Sequence, residues 1–268
     1  MLRNLFIKVC PKSLMKAATV VIRKSRAFRC RTDMVLLPKK MTLYCPCCGT
    51  KMKSFVSAEY LKENRFNQER YKNMRQDVIC PVCRSLPRHR ILASWCEKNK
   101  ELLKGKVLYF APEHSMELWM KRNGVKYTTA DLYRGADLKL DIQETGLKGE
   151  SYDVVIANHV LEHIDDFRVA LKEVRRILKP FGLFICSFPI DPRVEILDED
   201  PNVKTDEERI YRFGQNDHKR VFGMKADQFL REAGFTVEII DGGDYPEEIL
   251  PVVGPADYDM NRLFCCRK

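Results

Sequence analysis

The chain has 268 residues, of which 45% are hydrophobic and 31% charged, a composition typical of a soluble globular protein with one main domain and a small second unit. No stretch reaches the roughly 18 apolar residues that a membrane-spanning helix needs. The apolar run at residues 17–22 is short and is followed by Arg23 and Lys24, which is not the pattern of a secretory signal. A cytoplasmic location is therefore expected.

The net charge of +10 is confined to the N-terminal tail. Residues 1–40 hold eleven Lys or Arg and one acid, whereas residues 41–268 hold 36 of each sign. The body therefore lacks the excess positive charge that favours binding along a phosphate backbone, and nucleic acid is not an expected partner. Three interpretations of the tail stay open: an amphipathic segment on an anionic membrane surface, a disordered arm contacting RNA or a protein, and an over-extended reading frame ending before Met34 or Met41.

Two CxxC motifs define a small module at residues 41–85. Cys45 and Cys48 form the first motif, and Cys80 and Cys83 form the second. In a chain without a secretion signal, clustered cysteines favour metal ligation over disulfides. Four thiolates around one ion make a closed tetrahedral site, so the motifs predict a structural zinc ion bound by all four cysteines.

Three other features of residues 41–85 bear on this prediction: a fifth cysteine, a glycine after the first motif, and the long gap between the motifs. Cys47 lies inside the first motif, and we expect its side chain to point away from the ion. Gly49 relieves the backbone just after the motif. The 31-residue gap between Cys48 and Cys80 contains aromatic residues that suggest an inserted segment with some core of its own. A thioredoxin-like redox pair is the alternative, which the presence of two CxxC motifs disfavours.

From residue 86 onward the hydrophobic pattern alternates between helix and strand, which predicts a parallel α/β sheet over residues 86–268. The predicted helices lie near residues 91–103, at 113–123, at 167–178 behind the capping residues Asp165 and Asp166, and at 225–233 before Gly234. The predicted strands span residues 106–110, 125–130, 138–140, 152–157, 183–188, 236–240 and 262–266. Seven strands with interleaved helices predict an open, doubly wound, Rossmann-like sheet.

Several polar residues follow the ends of the predicted strands. In doubly wound sheets ligands bind outside the carboxyl ends of the strands, where the strand order reverses. This rule places in one crevice Ala111, Pro112, Glu113, Asp131, Asp141 and Asn158. Asp131 comes 21 residues after Phe110, near the spacing at which a carboxylate meets ribose hydroxyls. Asp141 and Ile142 are suited to an adenine amino group and its apolar flank. Each acid alone is more typical of a solvated strand end, but their repeated position favours a binding site.

Residues 152–182 carry the most specific motif of the chain. The run Tyr152-Asp-Val-Val-Ile-Ala-Asn-His-Val-Leu-Glu-His-Ile164 is followed by Leu171-x-Glu-x-x-Arg-Ile-Leu-Lys-Pro-x-Gly182. It resembles the signature after the fourth strand of class I (type 11-like) methyltransferases that use S-adenosylmethionine. The resemblance covers residues 105–268. It implies that Asp131 holds the ribose, that Asp141 and Ile142 hold the adenine, and that Asn158 and His159 border the methionine end and the acceptor. Leu132 is also assigned to the cofactor site.

The first loop departs from the family pattern. It is usually glycine-rich so that the backbone can approach the cofactor, and here the sequence is Phe110-Ala-Pro-Glu-His114. Ala111 is small, Pro112 is suited to open the next helix, and Glu113 is expected to accept hydrogen bonds from the cofactor's amino group. A relic that no longer binds the cofactor is the alternative interpretation.

The stretch 189–224 has little regular pattern and is interpreted as a lid or acceptor-binding loop. It contains Asp217-His-x-Arg-x-Phe-Gly223, a pattern related to one in the resembled family. We hypothesise that His218 is the general base and that Asp217 orients it. Acceptor contacts are assigned to Tyr211, Arg212 and Arg220, and further candidate bases are His159, His163 and Glu162. A solvated loop whose charged residues pair among themselves is equally compatible with the pattern.

These observations together predict a methyltransferase that modifies a hydroxyl or amine of a small polar acceptor. Paired cysteine motifs before such a domain resemble bacterial methyltransferases of surface-polysaccharide pathways, which favours a saccharide or glycan precursor. An RNA methyltransferase is a second hypothesis, disfavoured by the neutral body and by the lack of an Asn/Asp-Pro-Pro-Tyr/Phe motif after the fourth strand. A catalytically inactive scaffold whose zinc module binds a partner is the third.

Overall fold

A computed structural model describes residues 41–57, 77–249 and 262–268, together with positions 21, 24, 25, 28–30, 32, 33 and 36. The hypotheses about the tail at residues 1–40 concern a segment of which only those scattered positions are described. The insert predicted between the cysteine motifs lies outside the described residues from 58 to 76. In the described part of the chain, no helix combines the length and the hydropathy that crossing a bilayer requires.

The described residues of the cysteine module form two short antiparallel strand pairs. Its strands are β1 (Leu43–Cys45), β2 (Thr50–Met52), β3 (Val56–Ser57) and β4 (Asp77–Ile79), with β1 paired to β2 and β3 paired to β4. The first CxxC motif forms the turn between β1 and β2, where Gly49 has a φ of 71° and its N–H donates to the carbonyl of Cys45 at 2.8 Å. Glycine adopts this left-handed conformation without strain.

The rest of the chain alternates helices and strands as predicted. The elements are α1 (Pro87–Lys98), β5 (Val107–Phe110), α2 (His114–Arg122), β6 (Tyr127–Ala130), β7 (Tyr152–Asn158), α3 (Phe167–Ile177), β8 (Leu178–Ser187), β9 (Leu197–Glu199), α4 (Asp206–Phe213), β10 (Arg220–Phe222), α5 (Asp227–Glu232), β11 (Thr236–Ile240) and β12 (Leu263–Arg267). The central sheet has the order β11-β12-β8-β7-β5-β6. Its strands β6, β5, β7 and β8 are parallel, and β12 is antiparallel to both neighbours.

The sheet contains six strands among the described residues, where we expected seven. The segment 138–140 makes only an isolated parallel bridge, from Leu138 to Ala130 at the end of β6. Beyond that point the chain turns, because one carboxylate oxygen of Asp131 accepts hydrogen bonds from the backbone N–H groups of Tyr133 (2.8 Å) and Arg134 (2.7 Å). Residues 139 and 140 therefore have no strand to pair with, and the predicted third strand is wrong.

The strand order reverses between β5 and its neighbours β6 and β7, which is the position where doubly wound sheets bind ligands. Side chains alternate between the two faces of the sheet. One face packs against α3 and α5. The opposite face packs against α1 and α2, and here residues of the cysteine module such as Met52 and Phe55 join Trp119 in the same apolar cluster. The module therefore shares a core with the main domain.

Asp166 is the N-cap of α3. Its carboxylate accepts hydrogen bonds from the N–H groups of Arg168 (2.9 Å) and Val169 (3.3 Å), whereas Asp165 pairs with Lys219. We therefore expect Asp166→Ala to lower the free energy of unfolding by about 1 kcal/mol, because two N–H groups lose their acceptor. Urea denaturation measures the change. Asp165→Ala is the control, since it removes an exposed ion pair and should cost only a few tenths of that value; equal losses would contradict the assignment of the cap.

The stretch 189–224 is more regular than its sequence suggested. β9 and β10 pair antiparallel, and α4 lies between them in the sequence. Thr205 and Glu208 form a capping box at the start of α4, and Gly214 ends it with a φ of 92°. The prediction of an irregular loop is therefore wrong for this segment.

Candidate functional site

A cavity of about 990 Å³ opens at the carboxyl ends of β5, β6 and β7. Eight of the nine residues predicted to bind the cofactor line it: Ala111, Glu113, Asp131, Leu132, Asp141, Ile142, Asn158 and His159. Pro112 does not belong to the lining. The convergence expected from the strand ends is therefore present, because parallel strands bring their carboxyl ends to one edge of the sheet.

The first loop compensates for its missing glycines by strain at one alanine. Ala111 has a φ of 46°, in the left-handed region that glycine usually occupies, and its N–H donates to the carbonyl of Ala130 at 2.8 Å. The N–H of Glu113 donates to the hydroxyl of Tyr109 at 3.2 Å. The first bond holds the loop to β6 and the second holds it to β5, and an alanine side chain is small enough to face the cavity there.

Glu113 is held by two basic residues of α1. Its Oε1 accepts hydrogen bonds from Arg88 Nη2 at 2.9 Å and from His89 Nε2 at 2.5 Å. Burial acts to raise the pKa of this carboxyl, but the charges of His89 and Arg88 prevail and hold its pKa far below the usual range. The second oxygen, Oε2, is buried without a hydrogen-bond partner. Glu113 thus presents a charged oxygen that a donor in the cavity would satisfy.

The two aspartates at the far side of the cavity each stabilise a turn. One oxygen of Asp131 caps the turn after β6, as described above, and Asp131 is almost fully buried. Asp141 Oδ1 accepts a hydrogen bond from the N–H of Gln143 at 2.8 Å. Ile142, the residue after Asp141, is buried in the apolar core. Asp131 follows β6 and Asp141 follows the isolated bridge of Leu138, and both carboxylates line the cavity together with Ile142.

Asn158 ends β7 inside the cavity. Its Oδ1 accepts a hydrogen bond from Ser187 Oγ at 3.1 Å, and its Nδ2 is buried without a partner. The next residue, His159, has a φ of 51° and donates its N–H to the carbonyl of Ser187 at 2.7 Å. The positive φ of His159 therefore turns the chain away from the sheet directly at the cavity. The side-chain Nδ2 of Asn158 is available there to a ligand acceptor.

Three histidines surround the buried carboxylate of Glu162. Glu162 is 1% exposed, and its Oε1 lies 3.2 Å from His159 Nδ1 and 4.0 Å from His163 Nε2. The rings of His163 and His218 contact edge to face, with centroids 4.7 Å apart. Burial acts to raise the pKa of Glu162, but the three histidines lower its pKa to about 2. Burial also lowers the pKa of His218, so that this ring is neutral at neutral pH.

The partners of Asp217 and His218 differ from the expectation. Asp217 Oδ2 lies 3.3 Å from His163 Nδ1, and Asp217 is largely exposed. His218 is buried, and its Nδ1 lies 3.1 Å from the carbonyl of Phe213. Both residues line the cavity, but Asp217 contacts His163, and the carbonyl of Phe213 rather than Asp217 is the partner of His218 Nδ1.

The three residues predicted to contact the acceptor do not line the cavity. Tyr211 is 78% exposed. Arg212 pairs with Asp198 at 2.8 Å and with Asp200 across the β9 side of the insert. Arg220 is buried and binds Glu199 at 2.5 Å together with backbone carbonyls of residues 161–165. Arg212 therefore holds α4 to the β9 side within the insert, and Arg220 ties the insert to the main domain.

Three other residues of the insert line the cavity in place of Tyr211, Arg212 and Arg220. Arg209, Ile210 and Phe213 of α4 line the cavity, and the Nε of Arg209 is buried without a partner. Once the segment is a helix, residues i and i+4 share a face, which places Arg209 and Phe213 on the same side. The Thr-x-x-Glu capping box at residues 205–208 was the sequence signal for this helix.

The four cysteines of the two CxxC motifs cluster as predicted. Cys45 Sγ lies 3.6 Å from Cys83 Sγ, Cys48 Sγ lies 3.8 Å from Cys80 Sγ, and all four sulfurs lie within 4.8 Å of one another. None of them is in a disulfide. Cys47 Sγ instead donates to the carbonyl of His89 at 3.4 Å. The cluster is therefore a group of thiols that can hold one metal ion, with Cys47 outside it.

Two arginines join the cysteine cluster to the main domain. The fully buried Arg90 donates to the carbonyls of Val78 (2.8 Å) and Ser85 (3.0 Å), next to the second CxxC motif. Arg122 donates to the carbonyls of Pro46 (3.2 Å) and Cys47 (3.1 Å) in the first motif. Because Arg88 and His89 precede Arg90 on α1, the second motif is connected directly to the residues that hold Glu113.

Comparison with known proteins gives a match to one family. Residues 113–186 match the family described as a methyltransferase domain. The chain is 36% identical over 75 residues to the PKS-NRPS hybrid synthetase cheA of Chaetomium globosum, and 34% identical over 61 residues to the reducing polyketide synthase ppsB of Aspergillus oryzae. These segments cover 28% and 23% of this chain but only 1% and 2% of the two relatives.

Solved structures of low identity resemble the fold. One is a SAM-dependent methyltransferase from Archaeoglobus fulgidus, 16% identical, which covers 67% of this chain and 94% of its own with a TM-score of 0.46. Another is the 1,6-didemethyltoxoflavin-N1-methyltransferase of Burkholderia thailandensis, 15% identical, covering 68% and 78% with a TM-score of 0.48. The family match at residues 113–186 includes the motif at residues 152–182, so this segment of the chain is similar to a methyltransferase domain.

Proposed function

We propose that this protein transfers a methyl group from S-adenosylmethionine to a hydroxyl or amine of a small polar acceptor, with a saccharide as the first candidate. One observation carries the proposal: Glu113 Oε2 and Asn158 Nδ2 are buried polar atoms without partners, and both residues line the same cavity. Buried polar atoms are nearly always paired, so the two atoms indicate a ligand with a donor and an acceptor. The ammonium and carboxylate of the cofactor's methionine part have this chemistry.

The remaining residues fit the rest of the cofactor. Asp131 is suited to accept hydrogen bonds from the ribose hydroxyls, with Leu132 beside it. Asp141 is suited to the adenine amino group, and Ile142 supplies an apolar surface for the ring. When held by these residues, S-adenosylmethionine would supply an electrophilic methyl group on its sulfonium sulfur and a neutral thioether as the leaving group.

The chain's own contribution is to orient the acceptor and to take its proton. As the acceptor oxygen forms its bond to the methyl carbon, the hydroxyl proton passes to a neutral histidine. Two observations support His159 in this role: it lines the cavity, and its Nδ1 lies 3.2 Å from Oε1 of Glu162, a carboxylate able to stabilise the imidazolium. His218, the base proposed from the sequence, lines the same cavity but is more deeply buried.

The acceptor side of the cavity is polar. It includes Arg209, whose Nε is buried without a partner, together with Gln215, Asn216 and Lys219. Pockets use a few such groups to fix the orientation of a polar ligand. A hydroxyl-rich molecule such as a saccharide satisfies donors and acceptors of this kind, which supports the acceptor class expected from the paired cysteine motifs.

We further propose that the four-cysteine cluster binds zinc. In a tetrahedral site with Zn–S bonds of about 2.3 Å, neighbouring sulfurs lie about 3.8 Å apart. The distances of 3.6 Å and 3.8 Å between the paired cysteines fit this value. The buried guanidinium of Arg90 is next to the cluster and would offset the negative charge of four thiolates around a divalent ion.

Isothermal titration with S-adenosylmethionine tests the cofactor site. We expect Glu113→Gln to weaken binding at least about tenfold, because a hydrogen bond to a charged partner is lost. Glu117→Gln on α2, which begins directly after Glu113, is the matched control and should bind like the wild type, since Glu117 pairs with Lys121 and Tyr127 outside the cavity. Mass spectrometry of cell-extract acceptors incubated with methyl-labelled cofactor then identifies the product. Absence of cofactor binding would favour the inactive scaffold instead.

A further inference from the structure

We infer that Glu162, His163 and His218 bind one divalent transition-metal ion in the wall of the cavity, separate from the four-cysteine cluster. A carboxylate oxygen of Glu162 and one ring nitrogen of each histidine lie within 4.8 Å of one another. All three residues line the cavity. Two histidines and one carboxylate are a ligand set that zinc and non-haem iron enzymes use, with a further coordination position left open.

The burial of the Glu162 carboxylate and its lack of hydrogen bonds indicate that a cation binds next to it. Its carboxylate is 1% exposed, and neither oxygen accepts a hydrogen bond. His159 Nδ1 is 3.2 Å from Oε1, but not in hydrogen-bond geometry. A buried carboxylate without hydrogen bonds is costly unless a cation neutralises it, and buried charges in proteins are paired or coordinate metals. A metal ion between Glu162 and the two histidines provides this partner.

The second nitrogens of the two histidines are occupied in the way that metal ligands require. His163 Nδ1 lies 3.3 Å from both the carboxylate and the backbone carbonyl of Asp217. His218 Nδ1 lies 3.1 Å from the carbonyl of Phe213. Histidines that bind metals almost always donate their other N–H to a carboxylate or carbonyl, which fixes the tautomer and orients the ring. In both residues this leaves the unprotonated Nε2 as the ligand atom.

The position of this site suggests what the ion does, a part of the inference that rests on the proposed function. An open coordination position facing the cavity would hold an acceptor oxygen and lower the pKa of its hydroxyl. His159, which is not one of the three ligands, remains free to take the proton. Binding of the ion itself does not depend on methyl transfer, so the two proposals fail separately.

Titration with Co²⁺ tests the inference, because its ligand-field absorption reports directly on nitrogen and oxygen ligation. The full chain is first loaded with one equivalent of Zn²⁺, which four thiolates bind in preference to two histidines and a carboxylate, and Co²⁺ is then added. We expect the wild type to bind one Co²⁺ per chain saturably, and Glu162→Gln and His218→Gln each to weaken this binding more than about tenfold. His114→Gln is the matched control, since His114 is exposed and is not a lining residue, and it should bind Co²⁺ like the wild type.

Titration of the same variants with S-adenosylmethionine separates loss of the metal site from misfolding. Retained cofactor binding with lost Co²⁺ binding supports the inference. A wild type without saturable Co²⁺ absorption, or variants that bind Co²⁺ as tightly as the wild type, overturns it. If the wild type binds Co²⁺ but not the cofactor, the metal site stands and the proposed methyl transfer is wrong.

Discussion

Loss of the proposed zinc ion from the four-cysteine cluster is expected to weaken S-adenosylmethionine binding about tenfold, although the two sites share no ligand. Cys80→Ser removes one of four ligands and should open the second CxxC motif, because structural zinc contributes directly to folding. Arg88 lies five residues after Cys83 and is followed by His89. Both side chains contact Oε1 of Glu113. Loosening α1 at this end should release Glu113, and with it the loop of the cofactor site. Isothermal titration and metal analysis measure the two effects.

Cys47→Ser is the matched control for this experiment. Cys47 lies in the first CxxC motif and is fully buried, but its sulfur donates to the carbonyl of His89 and is not part of the cluster. A serine hydroxyl can make the same hydrogen bond, so both the metal content and the cofactor affinity should be retained. If Cys80→Ser loses the ion and yet binds the cofactor normally, the proposed coupling between the cysteine module and Glu113 is wrong.

Replacement of His159 by Asn is expected to lower kcat about 100-fold while leaving the dissociation constant of the cofactor within about threefold, because general-base catalysis contributes roughly that much to turnover. Asparagine keeps a polar side chain at the strained position with a φ of 51° and is one of the residue types that tolerate it. Turnover is measured with the acceptor found by methyl labelling, and the cofactor affinity by calorimetry. Unchanged kcat would exclude His159 as the base.

Comparison with His218→Gln separates the base from the metal ligand. Both variants should have low turnover, but only His218→Gln should also lose Co²⁺ binding. A His159→Asn protein that retains Co²⁺ and fails to turn over supports the division of roles between the two histidines. If His159→Asn also loses Co²⁺ while keeping its fold, His159 belongs to the ligand set, and the assignment of the base has to move to another group.

The sequence by itself determined the elements whose signals are local. Alternating apolar runs located β5, β7 and β11 to within one residue, since strand burial follows from the residues of the strand itself. The spacing within each CxxC motif was sufficient to identify the cysteine cluster. The residues at the strand ends were identified because a parallel sheet places all of its carboxyl ends at one edge. The capping box at Thr205 was present in the sequence as well, but its α4 helix was missed.

Only the tertiary structure decided which side chains face one another in the site. The rotation of α4 about its own axis places Arg209 at the cavity and Tyr211 in the solvent. This rotation depends on how the helix packs against the rest of the protein. The pairing of His89 with Glu113 joins residues 24 positions apart, and Glu162 meets His218 across a still longer separation. Contacts of this kind depend on the relative placement of whole elements, for which the local pattern of residues carries no signal.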